Sequence, residues 1–363
     1  MTALRETLKL GEKIRVLVVD DSAVIRRMIS RMVEEEPSLE LAGTARNGVE
    51  ALAKIAQLRP HVITLDVEMP ELDGIATLRK IIEMRLDVRV IMLSSLTAKG
   101  SQTTVDALML GANDYVTKPQ GDTAGKAFDA LAIELMAKIK QLFALPCELR
   151  SVAVPLPAQP SAIKPAMPAY ISRPEIFAIG VSTGGPAALT EALPDIPKDF
   201  HLPIVITQHM PPYFTHVLAE RLTKICNIPV AEAEDGMPVI PGRALIAPGD
   251  YHMRVVRQGH DLVVRLDQGP QENSCRPAVD VMLRSIAECC KGRAIVAILT
   301  GMGQDGLIGV RQLKELGASI YAQDSATSVV WGMPGAIVSA NLADAVLPLN
   351  NIVPTVLMRA GQR

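Results

Sequence analysis

The sequence predicts two successive α/β domains, each a doubly wound and mostly parallel sheet, joined by a proline-rich linker. Three observations carry that expectation. A chain of 363 residues with 48% hydrophobic content exceeds what one core ordinarily organises. Short β-branched apolar runs alternate with amphipathic segments, and the alternation occurs twice. Between the two passes, residues 146–174 hold seven of the chain's 26 prolines.

Taken in order, RVLVVD is a strand and SAVIRRMISRMVEEE a helix, and LELAGTA with NGVEALAKIAQL repeats the unit. HVITLD, RVIMLSS and NDYVTKP supply three more strands, which makes five βα units within residues 1–140. Runs apolar on both faces suit parallel strands covered by helices on either side. PCELRSVAVPLPAQPSAIKPAMPAYISRP then breaks the pattern. Prolines at that density lack the amides a helix interior or central strand needs, so residues 141–174 read as a semi-extended linker. The second domain, residues 175–363, offers the strands EIFAIGVS, LPIVITQ, RAIVAILT and ASIYAQD. PAALTEALP, THVLAERLTKI, AVDVMLRSIAECC and LIGVRQLKELG are its helices. Residues 242–269 (RALIAPG, YHMRVVRQG, HDLVVRLDQG) show strands and tight turns without a helix, which predicts a hairpin or an antiparallel edge.

Composition excludes several functions. Lys plus Arg is 37 and Asp plus Glu 39, and the two kinds stay balanced on either side of residue 140. With only 3% aromatic residues, the chain lacks the cationic track and stacking platforms of a nucleic-acid groove. No 18-residue apolar stretch and no signal-peptide layout is visible, so a cytoplasmic protein without membrane insertion is expected. Five cysteines without CxxC spacing read as reduced thiols rather than a disulfide framework.

In a doubly wound sheet, ligands sit beyond the carboxyl ends of the strands. Asp20 and Asp21 end the first strand of this chain and Asp66 the third. Three carboxylates converging there repel one another unless a hard cation such as Mg²⁺ joins them. Ser94 and Lys118 end the last two strands and suit the oxygens of an incoming phosphoryl group. A lone strand-end Asp is ordinarily a cap; five suitable residues at strand ends make a site.

VLVVDDS, VITLDVEMPELDG, VIMLSS and DYVTKP resemble the signature stretches of response-regulator receiver domains. The resemblance implies a flavodoxin-like fold with Asp66 as phospho-acceptor. It also implies Mg²⁺ held by Asp21, Asp66 and the backbone carbonyl of Glu68, with Asp20 acting through a bound water. Ser94 becomes the switch hydroxyl, Tyr115 the rotating aromatic and Lys118 the phosphoryl partner, with a cis Lys118–Pro119 bond.

In the second domain, Gly180–Gly184 (GVSTG) fits G-x-S-x-G, whose sharp strand-to-helix turn exposes a serine hydroxyl, here Ser182. Seen alone, such a turn equally suits phosphate binding or helix capping. Among the six histidines, His209 ends the next strand and is the best-placed base. His252 is a weaker candidate, His216 a surface helix residue, and His61 lies at the wrong end of its strand. Asp305 follows RAIVAILT and suits the orienting acid. Amides near Thr183 and in the glycine-rich turn at Met302 suit an oxyanion. The same turn, GMGQDG, also fits G-x-G-x-x-G, with Asp324 placed as a ribose-binding acid. Against that nucleotide reading stand the carboxylate of Asp305 inside the loop and the late position of the motif.

IGVSTGGP, ITQHMPPYFTHVLAERL, AEDGMPVIPGRALIAPGDYHM, ENSCRPAVDVM, ILTGMGQDG and AQDSATSVVWGMP resemble the catalytic domain of chemotaxis protein-glutamate methylesterases. The resemblance implies a Ser182–His209–Asp305 triad with the amides of Thr183 and Met302 as oxyanion donors. It further implies methyl-ester hydrolysis and glutamine deamidation on methylated chemoreceptors, a sensor histidine kinase as phosphodonor, recruitment to membrane receptor arrays, and a monomer. Ser325 departs from the acid that many relatives carry. Two other readings remain: a phosphorylation-switched binding protein with a degenerate hydrolase domain, and a DNA-binding regulator, which the large, neutral α/β second half disfavours.

Overall fold

The computed structural model describes residues 12–95, 97–118, 124–143 and 173–361. Residues 144–172 of the expected linker lie outside them, as does Pro119 and with it the Lys118–Pro119 bond.

The first sheet contains β1 (Ile14–Val19), β2 (Leu39–Ala45), β3 (Val62–Asp66), β4 (Arg89–Ser94) and β5 (Asp114–Thr117). Its order is β2-β1-β3-β4-β5 and every neighbouring pair is parallel. Helices α1 (Ala23–Glu35), α2 (Gly48–Leu58), α3 (Gly74–Glu83), α4 (Ala98–Leu110) and α5 (Ala124–Leu142) cover it. The two-residue alternation of β1 explains the double cover. Val16 and Val18 pack with Ile29, Val33 and Leu135 on one face, while Leu17 and Val19 pack with Ala51, Ile55 and Leu78 on the other. Side chains start the first four helices: Ser22, Asn47, Asp73 and Thr97 each accept a first-turn amide.

The second domain contains β6 (Ile176–Val181), β7 (Ile204–Gln208), β8 (Val230–Glu232), β9 (Ala244–Ile246), β10 (His252–Gln258), β11 (Asp261–Asp267), β12 (Ala294–Ile298), β13 (Ser319–Gln323) and β14 (Ala345–Leu347). Seven of these strands form a parallel sheet in the order β14-β13-β12-β6-β7-β9-β8. The helices are α6 (Gly185–Ala192), α7 (Phe214–Ile225), α8 (Val279–Cys290), α9 (Leu307–Glu315), α10 (Met333–Ser339) and α11 (Leu349–Ala360). β10 and β11 make a separate antiparallel ladder rather than an edge of the sheet. The hairpin is tied to α8 by the Ser285 hydroxyl, which accepts the Val255 amide at 2.9 Å. RALIAPG contributes instead to β9, inside the parallel sheet. Because β6 lies between β12 and β7, its carboxyl end opens into a crevice where the chain's winding reverses.

The first domain rests on this crevice. Arg221 of α7 grips Asp106 of α4 through Nε–Oδ1 at 2.7 Å and Nη2–Oδ2 at 3.0 Å. The Tyr115 ring stacks on Phe214 with centroids 4.9 Å apart. Thr183 donates its hydroxyl to Asp114 at 2.7 Å.

Candidate active site

β6 delivers Ser182 to the crevice, with the Ser182 amide bound to the Thr300 carbonyl at 3.0 Å. β7 delivers His209, whose amide bonds the Val181 carbonyl at 3.2 Å. Asp305 arrives from the loop between β12 and α9 and meets His209 Nε2 through Oδ2 at 2.7 Å. Ser182, Thr183, His209, Met302 and Asp305 line one cleft of about 350 Å³ together with Asp114, Tyr115 and Lys138 from the first domain.

Glycines permit this approach for steric reasons. A side chain on Gly301 would meet the Ser182 Cβ at 2.9 Å and the Met333 sulfur at 2.4 Å. Gly184 turns the chain into α6 at φ +77°, the left-handed region glycine favours. Neither the Thr183 nor the Met302 amide has an internal hydrogen-bond partner among the described residues, whereas the Thr183 carbonyl is fixed by the Thr300 hydroxyl at 2.9 Å.

Asp305 is 2% exposed and densely bonded. Its oxygens accept the amides of Val279 at 2.6 Å, Asp280 at 3.0 Å and Gly306 at 2.9 Å, and the Asn273 side chain at 3.0 Å. It therefore serves as the missing cap of α8, whose own N-cap, Ala278, has no capping side chain. Burial works to raise its pKa, yet the His209 hydrogen bond and charge and the α8 amides hold it below the ordinary carboxylate value. For His209, burial opposes the charged form, but Asp305 and the Cys275 sulfur outweigh it and push the pKa up to about 9. That sulfur lies 3.5 Å from His209 Nδ1.

The other histidines have structural surroundings. His252 is buried, with Nε2 against the Pro270 carbonyl at 2.9 Å and Nδ1 accepting the Ala278 amide at 3.2 Å. His216 is an exposed α7 residue beside Glu220 and Glu232. Asp324 accepts the amide and hydroxyl of Thr327 in a local turn, and Asp305 turns inward from the GMGQDG loop. Ser325 is exposed on the turn after β13.

At the end of the first sheet, Asp20, Asp21 and Asp66 bring ligand oxygens within 4.8 Å of one another. Oxygen-only donors of this kind fit a divalent hard cation. Lys118 Nζ lies 2.7 Å from both Asp20 Oδ2 and Asp66 Oδ1. Burial pushes the Asp66 pKa up to about 6 even against the Lys118 hydrogen bond and charge, and the Glu68 amide also bonds this carboxylate. Burial opposes the charge on Lys118, but its bonds to Asp20 and Asp66 prevail and raise its pKa. Ser94 is fully buried beside Asp66, its hydroxyl bonded to that of Thr104 at 2.5 Å. Tyr115 is separate from this pocket and faces the second domain, with Lys138 Nζ 4.9 Å from its ring centroid.

Asn273, Cys275 and Asp280 support the second site and are absent from the sequence-based candidates. All three lie within ENSCRPAVD, and the resemblance of that stretch to methylesterase sequences is the signal that points to them.

The CheB methylesterase family model matches residues 177–356, and the response regulator receiver domain model matches residues 16–127. A protein-glutamate methylesterase/protein-glutamine glutaminase of Trichodesmium erythraeum is 45% identical over 350 residues, covering 96% of this chain and 99% of that protein. One from a Nocardioides species is 45% identical over 354 residues and covers 96% of each chain. The crystal structure of the Thermotoga maritima CheB methylesterase catalytic domain is 44% identical with a TM-score of 0.50, covering 51% of this chain and 98% of that one. The four described cysteines are free, and no described helix is long and apolar enough to cross a membrane. With both domain types present in one chain, and with relatives of this identity spanning almost its whole length, the chain belongs to the CheB family of two-domain response regulators and methylesterases.

Proposed function

We propose that this chain hydrolyses γ-glutamyl methyl esters on methylated chemoreceptors, releasing methanol, and deamidates selected receptor glutamines by the same route. The observation that carries the reading is the His209–Asp305 pair held beside Ser182 in one cleft. Ser182 Oγ attacks the ester carbonyl while His209 takes its proton, and Asp305 fixes the ring and its charge. The free amides of Thr183 and Met302 receive the oxyanion, each contributing about 3 kcal/mol to barrier lowering. The methyl group offers little to bind, so affinity comes from the receptor helix around the glutamate. The protein works in the cytoplasm at receptor arrays, as a monomer.

Control comes from the first domain. Asp66 takes a phosphoryl group from a sensor histidine kinase, Lys118 pairs with its oxygens, and Ser94 and Tyr115 relay the change. Asp21, Asp66 and the Glu68 carbonyl would hold Mg²⁺, with Asp20 acting through water, and the ion supplies charge neutralisation for the phosphoryl oxygens. Without phosphate the first domain, taken as residues 1–140, restricts receptor entry. Support lies in the shared cleft and in the Thr183–Asp114 bond. Phosphorylation shifts the population toward an open arrangement.

The test is methanol release from methylated receptor membranes with and without a phosphodonor. Wild type should release methanol faster with the donor. Ser182→Ala should lose roughly 10⁴–10⁶-fold. Turnover by Ser182→Ala equal to wild type would overturn the nucleophile assignment. Deleting residues 1–140 should raise basal release, and an unchanged basal rate would sink the inhibitory part.

A further inference from the structure

Cys275 touches His209 and has no task in the scheme above. Asp305, an acceptor bonded on both oxygens, faces Nε2, so Nε2 carries its hydrogen and Nδ1 is the nitrogen left to exchange a proton. Nδ1 lies 3.5 Å from Cys275 Sγ, and among the described residues it has no other hydrogen-bond partner. The sulfur is held firmly. The Cys275 and Glu272 amides and carbonyls bond reciprocally at 2.8 and 3.1 Å. Asn273 and Ser274 sit in left-handed backbone at φ 52° and 61°, a cost the surrounding bonds sustain. Arg276 is anchored to Asp250, and Glu272 to Arg284.

We propose that Cys275 is a positioning residue for proton transfer: its sulfur accepts the Nδ1–H of His209 once the ring has taken the Ser182 proton, and holds the ring until that proton leaves. The inference rests on His209 being the base of the proposed hydrolysis. Thiol sulfur is a weak, polarisable acceptor, so it aligns the proton without trapping it, as a carboxylate would. In acylation the Ser182 Oγ–carbon bond forms as the Oγ–H bond breaks and Nδ1–H forms. The carbon–methoxy bond then breaks as Nδ1 returns the proton to the methoxy oxygen, which leaves as methanol. In deacylation, water forms the new carbon–oxygen bond and gives its proton to Nδ1, and Oγ regains a proton as its bond to carbon breaks. Asp305 and Cys275 are in direct contact with the ring, while Asp114, Glu134 and Lys138 of the first domain line the same cleft. The raised pKa of His209 has the Asp305 and Cys275 contacts as its causes against burial.

The test uses the full chain labelled with ¹⁵N in the histidine rings, as wild type, Cys275→Ala and Cys275→Ser. Ring ¹⁵N titrations should give Cys275→Ala a His209 midpoint about one pH unit lower, with Nε2–H kept in the neutral form, and Cys275→Ser should recover part of the shift. On methylated receptor membranes, the plateau kcat reached above the His209 midpoint should fall about tenfold in Cys275→Ala at unchanged KM and recover in Cys275→Ser. An unmoved midpoint or an unchanged kcat in Cys275→Ala, with wild type active, overturns this proposal alone. No methanol from wild type would overturn the hydrolase reading and this one with it.

Discussion

Asp66, the last residue of β3, and Asp305, in the loop after β12, are two buried carboxylates, 4% and 2% exposed, and their acidities move in opposite directions. Burial raises both. Asp305 is surrounded by donors that outweigh it: three amides, the Asn273 side chain and His209. Asp66 has Lys118 and the Glu68 amide, and Lys118 is shared with Asp20. Asp305 is thus held charged within the fold, whereas Asp66 is left under-compensated, as suits the role proposed for it of receiving a cation and a phosphoryl group. Helix starts follow the same division. Side chains cap α1 to α4, while α6 and α9 start at Gly184 and Gly306 without a side-chain cap. The uncapped turns lie beside the amides that the proposed hydrolysis uses.

The most severe way to break the contrast is Asp305→Asn. The amide keeps the shape and removes the charge, and its NH₂ can donate to Nε2, leaving the proton on Nδ1 where the base must be vacant. Methanol release should fall roughly 10⁴-fold. The uncharged cap on α8 should also lower stability by about 1 kcal/mol, visible as a lower melting temperature with far-UV dichroism intact. Activity within tenfold of wild type would mean that Asp305 serves the fold rather than the base.

This contrast was only partly legible in the sequence. Asp20, Asp66, Ser182 and His209 could be placed because they directly end short β-branched apolar runs, whose length and composition identify parallel strands. Asp305 lies beyond its strand, in a loop that glycines let fold back over Ser182. What supports Asp305 is less local. Cys275 reaches His209 across 66 positions of sequence, from a left-handed stretch that no periodicity announces. β8 and β14, of three residues each, are too short to carry a pattern. α11 contains Pro354, which masks it as a helix. The Tyr115–Phe214 stack depends on domain packing, and neither residue's local sequence encodes it.

A smaller effect sharpens the Asp66 side. A folded-state pKa raised from 3.8 to about 6 means the native domain holds this proton more tightly than the unfolded chain does. Native stability from this group is therefore greatest below the ordinary value of 3.8, falls as pH rises toward about 6, and then levels off. Relieving that cost, Asp66→Asn should stabilise the first domain at pH 7 by on the order of 3 kcal/mol, with little gain near pH 4. Thermal melts at the two pH values read this directly. Added Mg²⁺ should raise the wild-type midpoint at pH 7 and leave the variant's nearly unchanged. Equal midpoints for wild type and Asp66→Asn at pH 7 would show that Lys118 already compensates the charge.

The smallest expected effect concerns an ion pair between the two domains. The Arg221–Asp106 pair is bidentate but partly exposed, at 29% and 43% for the two side chains, so solvent screening limits it to about 1 kcal/mol. Removing it by Arg221→Ala should move the closed-to-open balance roughly fivefold and raise basal methanol release by up to that factor. The phosphorylated form, which the proposed control already opens, should change less. Exchanging the charges, Asp106→Arg with Arg221→Asp, restores the attraction and should return the basal rate toward wild type, whereas either reversal alone should raise it. That rescue separates an inter-domain latch from a local effect on α7, which carries Arg221 and also Phe214, the residue stacked on Tyr115. If the double exchange stays as active as each single reversal, the pair does not hold the domains together, and the Tyr115 stack and the Asp114–Thr183 bond must supply the closure.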